Sequence, residues 1–190
     1  SNSMAIPINI EDLLNKRKIE SNRIEFKKGW NPDKIYRTIC AFANDFDNIG
    51  GGYIVVGIEE EERTGIAKRP VTGVPIEALN DIQKDMVGYN NKIEPYYMPR
   101  IDVQEVDGKS VLVIWAPAGV NRPYNVRERV TAKQSPSKWY IRSGTSTIEA
   151  KGEVLDELRE MANRTPFDER GNERIEISDI SPALVLDYLQ

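Results

Sequence analysis

The sequence has 190 residues, 39% of them hydrophobic and 29% charged, which predicts one domain with a proper core and room for a fragment of a second. It has no histidine and one cysteine, which excludes an internal disulfide, histidine-ligated zinc and histidine-activated nucleophiles. No apolar run is long enough for a membrane helix and no signal-peptide pattern is present, so we expect a cytoplasmic protein without a membrane partner.

The first half of the chain shows clear hydrophobic periodicity. A helix capped by Asn9 is predicted to run to about Ile19, and the alternating stretch RIEFKK at 23–28 predicts a half-buried strand. Asn31-Pro32 starts a second helix, whose apolar stripe extends to Phe46. The stretch 53–58 is apolar on both faces and predicts a fully buried strand.

The second half predicts a helix over 75–89 and two strands over 100–106 and 110–115, joined by the hairpin dipeptide Asp107-Gly108. A further strand, KWYIRSG at 138–144, and a closing helix over 151–163 follow. This order predicts an α/β (α+β) single domain in which helices pack on a mixed β-sheet.

Both ends of the chain differ from this middle part. Residues 1–4, SNSM, resemble an expression scar, and the domain is predicted over 10–163. Residues 164–190 are predicted to be a polar, acidic linker leading into a following segment, with a short helix pattern after Ser181. We therefore expect an N-terminal piece of a longer protein with further domains.

The formal net charge of −4 hides two basic segments. Residues 16–37 hold eight cations against three acids, and residues 122–142 hold six cations against one acid. Each segment has a local excess of about five positive charges, whereas acids are concentrated in the run 59–62 and in the tail. Clustered cations of this kind favour a nucleic-acid partner.

Four motifs, taken together, resemble one family. They are ESNRIEFKK at 20–28, ICAFANDFDNIGGGYIVVGIEE at 39–60, IEPYYMP at 93–99, and NRPY with WYIRSGTST at 121–147. In order and spacing they resemble the Schlafen AlbA-like DNA-binding domain, also called a divergent AAA-type domain, over about residues 10–161. In bacteria this domain usually forms the N-terminal part of predicted transcriptional regulators and helicase-like proteins. The resemblance implies nucleic-acid binding, with DNA favoured over RNA as the partner. The family also includes vertebrate Schlafens that are metal-dependent ribonucleases.

The favoured function is a nucleic-acid-binding module of a transcriptional regulator that contacts phosphates. The cations come from the two basic segments. The hydroxyl residues and the glycine at 143–147, where the last predicted strand ends, suit contact with phosphates without reading the base sequence. One of Trp139 and Tyr140 is expected to face away from the core, where it could stack on a base; the structural alternative is a capped strand-to-helix turn. The predicted contact residues are Lys27, Lys28, Arg37, Arg127, Arg129, Lys138, Arg142 and Thr145.

A ribonuclease is the alternative function, and it is the only one that needs a cofactor. The resemblance implies a three-carboxylate site of Glu20, Glu25 and either Glu59 or Glu60, with Mg²⁺ or Mn²⁺ as the metal. This chain departs from that pattern, because it has Glu where the nucleases commonly have Asp and carries the extra residues DFDNI. The structural interpretation pairs the acids with neighbouring cations such as Arg23 and Lys27, as exposed ion pairs of small energy.

Two further interpretations concern the middle of the chain. The glycines at 50–52 permit nucleotide binding, but they precede a strand and lack the P-loop pattern, so a tight turn with Asn44 tying the helix end to the loop is favoured. Cys40 is predicted to be a small core residue. A third function, a protein-interaction or oligomerisation domain, remains open and predicts a homo-oligomer.

Overall fold

The computed structural model describes residues 6–16, 19 and 21–163. The chain divides into two units after residue 150, and the described part of the second unit is residues 151–163. In the first unit the described helices are α1 Ile10–Leu14, α2 Pro32–Asn44 and α3 Ile76–Asn90, with a 3₁₀ turn at Ser21–Arg23. Its strands are β1 Ile24–Lys27, β2 Gly52–Val56, β3 Ile93–Glu94, β4 Arg100–Val106, β5 Lys109–Ala116, β6 Asn125–Arg127, β7 Ser137–Ser143 and β8 Ser146–Glu149. In the second unit the described helix is α4 Gly152–Ala162.

The strands of the first unit form two four-stranded sheets. The first sheet has the order β1-β2-β5-β4 and is mixed, because β1 pairs with β2 in parallel and the other pairs are antiparallel. The second sheet has the order β3-β6-β7-β8 and is antiparallel throughout. The α+β class with a mixed sheet is confirmed, although the strands divide between two sheets where the sequence predicted one.

Strand β2 separates two hydrophobic cores. Ile54 and Val56 point into a core shared with α2, α3 and the second sheet, whereas Tyr53 and Val55 point into a core shared with α1. This explains why the stretch is apolar at consecutive positions, as predicted for a strand covered on both faces. Among the residues that the structure describes, no helix is long and apolar enough to cross a bilayer.

Helix α2 is the central element, because it contacts strands of both sheets. The Asn31 side chain accepts the Lys34 amide at its N-terminus, and Pro32 occupies the first turn, as the sequence predicted. The helix ends at Asn44 because Asp45 adopts a left-handed conformation with φ +45°. Phe46, predicted as the last residue of the apolar stripe, therefore lies beyond the helix.

Asn44 joins the end of α2 to the second sheet. Its side chain is fully buried, and its amide donates to the carbonyl oxygens of Tyr124 at 3.0 Å and Tyr140 at 2.8 Å. Its carbonyl oxygen accepts the Tyr124 amide at 2.7 Å. Asn44 was predicted to tie the helix end to the adjoining loop, and the structure instead shows it holding two distant segments of backbone.

Asp45, the next residue, organises the glycine turn. Its carboxylate accepts the backbone amides of Ile49, Gly50 and Gly51 at 3.0–3.1 Å. A Cβ on Gly51 would meet the Ala116 carbonyl oxygen at 2.1 Å, so only glycine fits where the backbone at position 51 approaches the backbone of Ala116. These amides already have an acceptor within the chain, which supports the tight-turn interpretation of the glycines.

Three differences from the sequence predictions have local causes. Helix α1 ends at Leu14 and not near Ile19, because Lys16 has φ +55°, which is incompatible with a helix. Strands β3, β6 and β8 are only two to four residues long and too short to show a period. Ile76, predicted on the apolar face of α3, is 59% exposed at the start of that helix. The short helix pattern after Ser181 lies outside the described residues.

Cys40 is a core residue, as predicted. Its side chain is fully buried on α2, its Sγ donates to the Tyr124 carbonyl oxygen at 3.3 Å, and burial raises the pKa of the thiol to about 12. We expect a thiol-reactive dye at pH 8 to leave the native protein unmodified and to label one thiol per chain in denaturant. Stoichiometric labelling of the folded protein within minutes would contradict this assignment.

Candidate nucleic-acid interface

A groove of about 280 Å³ lies where β1, α2 and the β7–β8 hairpin meet. Four of its side chains are cationic, one is a carboxylate and the remaining four carry hydroxyls. The lining residues are Glu25, Lys27, Lys34, Arg37, Thr38, Arg142, Thr145, Ser146 and Thr147. The fold thus brings together cations from both basic segments of the sequence, and the formal charge of the lining is +3.

Strand β1 supplies Glu25 and Lys27 because its side chains alternate across the sheet. Ile24 and Phe26 are buried in the core, so the residues between and after them face the other way and remain partly accessible. Parallel pairing with β2 fixes this register, placing Glu25 opposite Ile54. The predicted half-buried strand is confirmed over Ile24–Lys27.

Helix α2 supplies Lys34, Arg37 and Thr38. Arg37 and Thr38 follow Lys34 by three and four residues, so both lie next to it on the helix surface. Ile35 and Ile39 lie on the face that points into the core. The Arg37 guanidinium donates to the Glu128 carbonyl oxygen, which fixes the side chain toward the segment after β6.

Arg142 on β7 forms the back of the groove. Only 9% of it is exposed, and its guanidinium lies 4.9 Å from the centre of the Phe42 ring. Its Nη1 donates to Glu25 Oε1 at 3.0 Å and to Thr147 Oγ1 at 2.9 Å. Burial lowers the pKa of this guanidinium, and the nearby Glu25 carboxylate opposes that shift. Arg142 is therefore a fixed cation inside the groove wall.

The β7–β8 hairpin closes the groove with hydroxyl groups. Its two-residue loop contains Gly144, which has φ +60° and open space around the position of a Cβ. The pairing of Arg142 with Thr147 across the hairpin brings the guanidinium and the hydroxyl together, and Thr147 Oγ1 lies 2.8 Å from Thr38 Oγ1 of α2. The hairpin is thereby attached to the helix through side chains at the base of the groove.

Four of the predicted contact residues line this groove, namely Lys27, Arg37, Arg142 and Thr145. The other four do not line it, and each has a partner within the protein. The ammonium group of Lys28 lies 3.8 Å from Glu59, and the Arg127 guanidinium donates to the carbonyl oxygens of Ala132 and Lys133 at 3.3 Å.

The two remaining predicted residues are also ion-paired. Arg129 lies 3.9 Å from Asp33, and Lys138 lies 3.1 Å from Glu128 and 3.6 Å from Glu149. The hydrogen bond to Glu128 raises the pKa of Lys138. Nucleic-acid contact by Lys28, Arg127, Arg129 and Lys138 stays a prediction.

Lys34 and Thr38 line the groove but were not predicted as contact residues. The spacing of Lys34 relative to Arg37 was a usable signal, since both positions lie away from the apolar stripe of α2. Thr38 is only 3% exposed and gave no such signal. Of the two predicted stacking candidates, Tyr140 is buried at 4% exposure in the core and Trp139 is half-buried.

The acids proposed as metal ligands are engaged with cations. Glu25 Oε2 lies 3.4 Å from Lys27 in addition to its Arg142 contact, Glu59 is paired with Lys28 and Lys68, and Glu60 is paired with Lys16. Glu20 lies outside the described residues. Within the described part of the chain, no group of three acidic, cysteine or histidine residues could hold a metal ion. Because Glu20 is not among the described residues, this result does not test the three-carboxylate set, and the Mg²⁺ or Mn²⁺ site and the ribonuclease function stay predictions.

Two solved structures are similar to this chain. The chain is similar to the N-terminal domain of a RecG-related protein from Nitrosomonas europaea, described as an ATP-dependent DNA helicase relative. The two share 27% sequence identity, the match covers 71% of this chain and 88% of that chain, and the TM-score is 0.48. It is also similar to the DIP2311 protein from Corynebacterium diphtheriae, with 20% identity and a TM-score of 0.53. That match covers 93% of this chain and 36% of the other, and it shows a shared fold.

No protein with a curated description matches the sequence. A family model does match: the Schlafen, AlbA_2 model aligns with residues 20–151. This range includes most of the first basic segment, all of the second, and every residue of the groove. This chain belongs to the Schlafen, AlbA_2 family.

Proposed function

We propose that this domain binds nucleic acid through its phosphate backbone, in the groove between β1, α2 and the β7–β8 hairpin. The observation that carries the proposal is the convergence of Lys27, Lys34, Arg37 and Arg142 with four hydroxyl side chains around one groove. Membership in the Schlafen, AlbA_2 family, which associates the chain with nucleic-acid-related domains, supports it.

The cations of the groove differ in how far the protein already neutralises them. Lys27 and Arg142 share the carboxylate of Glu25, whereas Lys34 and Arg37 have no carboxylate within 4.0 Å among the residues described. An incoming phosphate therefore meets Lys34 and Arg37 as uncompensated charges. The hydroxyls of Thr145 and Ser146 add hydrogen-bond donors that fix a phosphate without reading bases.

This chemistry suits a module that supplies affinity and leaves sequence recognition to other parts of a larger regulator. DNA is the favoured partner, and the role in a transcriptional regulator is part of the same proposal. Binding driven by phosphate contacts releases counterions, so the affinity must fall steeply as salt rises.

The test is fluorescence anisotropy with a labelled DNA duplex and a labelled RNA hairpin, in chelator, across a salt series. We expect binding at low salt with a steep negative log-log slope, and tighter binding to the duplex. Absence of binding to either probe at low salt would overturn the proposal. In that case, light scattering that shows a stable assembly would support the protein-interaction function.

Lys34→Ala provides a local test of the groove. We expect this variant to bind the duplex more weakly and to lower the magnitude of the salt slope by about 0.9, the value for one lost phosphate contact. Lys84→Ala is the matched control, since Lys84 is also an exposed lysine within a helix and does not line the groove. Equal slopes for wild type and Lys34→Ala would remove Lys34 from the interface.

A further inference from the structure

Glu25 is the single carboxylate among the lining residues of the groove, and it contacts two of the four cations there. Its Oε1 lies 3.0 Å from Nη1 of Arg142, and its Oε2 lies 3.4 Å from Nζ of Lys27. The side chains of Glu25 and Lys27 are each 21% exposed, so solvent and ligand can reach this pair.

A carboxylate resembles a phosphodiester group in the features that cations recognise. Both carry one negative charge shared by two oxygen atoms, and both accept hydrogen bonds from ammonium and guanidinium groups. In the free domain Glu25 thus satisfies the groups that would otherwise bind a backbone phosphate. We propose that Glu25 is an internal counter-ion that competes with phosphate for Lys27 and thereby sets the affinity of the groove; this inference rests on the proposed function.

The two cations held by Glu25 differ in how easily they can exchange partners. Arg142 is 9% exposed, stacks on Phe42 and also donates to Thr147, so it stays with Glu25 when a ligand binds. Lys27 has a flexible stem and a longer contact of 3.4 Å with the carboxylate. Lys27 is therefore the exchangeable cation, and its ammonium group moves from Glu25 to a phosphate oxygen.

The arrangement also explains how exchange begins. Lys34 and Arg37 face the same groove and attract the phosphate first, while Lys27 is still paired. Once the phosphate is in the groove, its charge replaces that of Glu25 as the partner of Lys27. The carboxylate remains paired with Arg142, so no charge is left buried without a partner.

The experiment measures the affinity of Glu25→Gln for the labelled duplex, in chelator, over a salt series. We expect binding about threefold to fivefold tighter than wild type, the change that matches the loss of one exposed ion pair. We also expect the magnitude of the salt slope to rise by about 0.9, because Lys27 becomes a full phosphate contact. Glu77→Gln, an exposed glutamate on α3, is the matched control for net charge and should change neither quantity.

A double-mutant cycle with Lys27→Gln tests the exchange itself. If Glu25 restrains Lys27, then Lys27→Gln weakens binding more in the Glu25→Gln background than in wild type. Equal losses in the two backgrounds, or Glu25→Gln binding no tighter than wild type, would overturn the inference. A wild-type domain that binds neither probe would instead overturn the proposed function.

Because Glu25 also pairs with the nearly buried Arg142, folding of each variant is checked by thermal denaturation. If Glu25→Gln does not fold, Glu25→Asp takes its place. It keeps a negative charge near Arg142 and shortens the reach of the carboxylate by one methylene, which weakens the already longer contact with Lys27. The expected result is then a smaller gain in affinity, and an affinity equal to wild type would contradict the inference.

Discussion

Reversing the charges of Lys34 and Arg37 together, in a Lys34→Glu, Arg37→Glu variant, should abolish binding of the labelled duplex at moderate salt. The substitution changes the formal charge of the groove lining from +3 to −1, so an attractive surface becomes a repulsive one. Like charges brought together at an interface cost several kcal/mol, which corresponds to a loss of affinity of about a hundredfold or more.

The fold is expected to survive this change. Lys34 is exposed and Arg37 is only half-buried, while the core side of α2 is formed by residues such as Ile35 and Ile39. Anisotropy titration gives the affinity, and circular dichroism with thermal melting verifies folding. A Lys84→Glu, Lys109→Glu variant carries the same change in net charge outside the groove and should retain most of the affinity. If both double variants lose binding equally, the groove is not the interface.

Asn44→Ala should strongly lower the stability of the domain. The change removes the three hydrogen bonds that join Asn44 to Tyr124 and Tyr140. The Tyr124 amide and the Tyr140 carbonyl oxygen lose this partner, while the Tyr124 carbonyl oxygen keeps the Cys40 thiol. Since each unsatisfied buried group costs about 1–3 kcal/mol, we expect the free energy of unfolding to fall by about 3–5 kcal/mol. Urea denaturation followed by circular dichroism measures this quantity.

Asn90→Ala is the matched control for that experiment. Asn90 is also a buried asparagine at the end of a helix, but its side chain accepts one hydrogen bond, from the Tyr36 hydroxyl at 2.7 Å. We expect this variant to lose only about 1–2 kcal/mol, because a single hydrogen bond is removed. Similar losses for the two variants would show that the ties from Asn44 to the second sheet contribute little to stability.

The sequence predicted the first sheet and the long helices well, because burial imposes a period on their residues. Strand β4 was predicted with its observed bounds Arg100–Val106, and the Asp107-Gly108 turn before β5 is present with positive φ at both residues. The second sheet was largely missed. β3, β6 and β8 are stabilised by pairing with distant segments, and such pairing leaves no local pattern in two to four residues.

The candidate site was predicted in part for a similar reason. Local charge excess identified both basic segments, but only the tertiary fold decides which of their side chains meet. Lys138 and Lys34 both lie in basic segments. Lys138 is paired with Glu128 and Glu149 outside the groove, whereas Lys34 lines the groove. The position of Arg142 could not be predicted either, because its burial depends on Phe42 and Glu25 from two other elements.

The groove residues and the core residues of α2 lie on different faces of the helix, so the groove can be changed without changing the core. Positions 34 and 37 point to the groove, and positions 35 and 39 point to the core, so a change at the former pair leaves the packing of the latter pair intact. A protein engineer could therefore vary positions 34, 37, 145 and 146 as a set and obtain domains with other ligand preferences on one scaffold. Such a scaffold would be useful for selecting binders to anionic polymers other than nucleic acid.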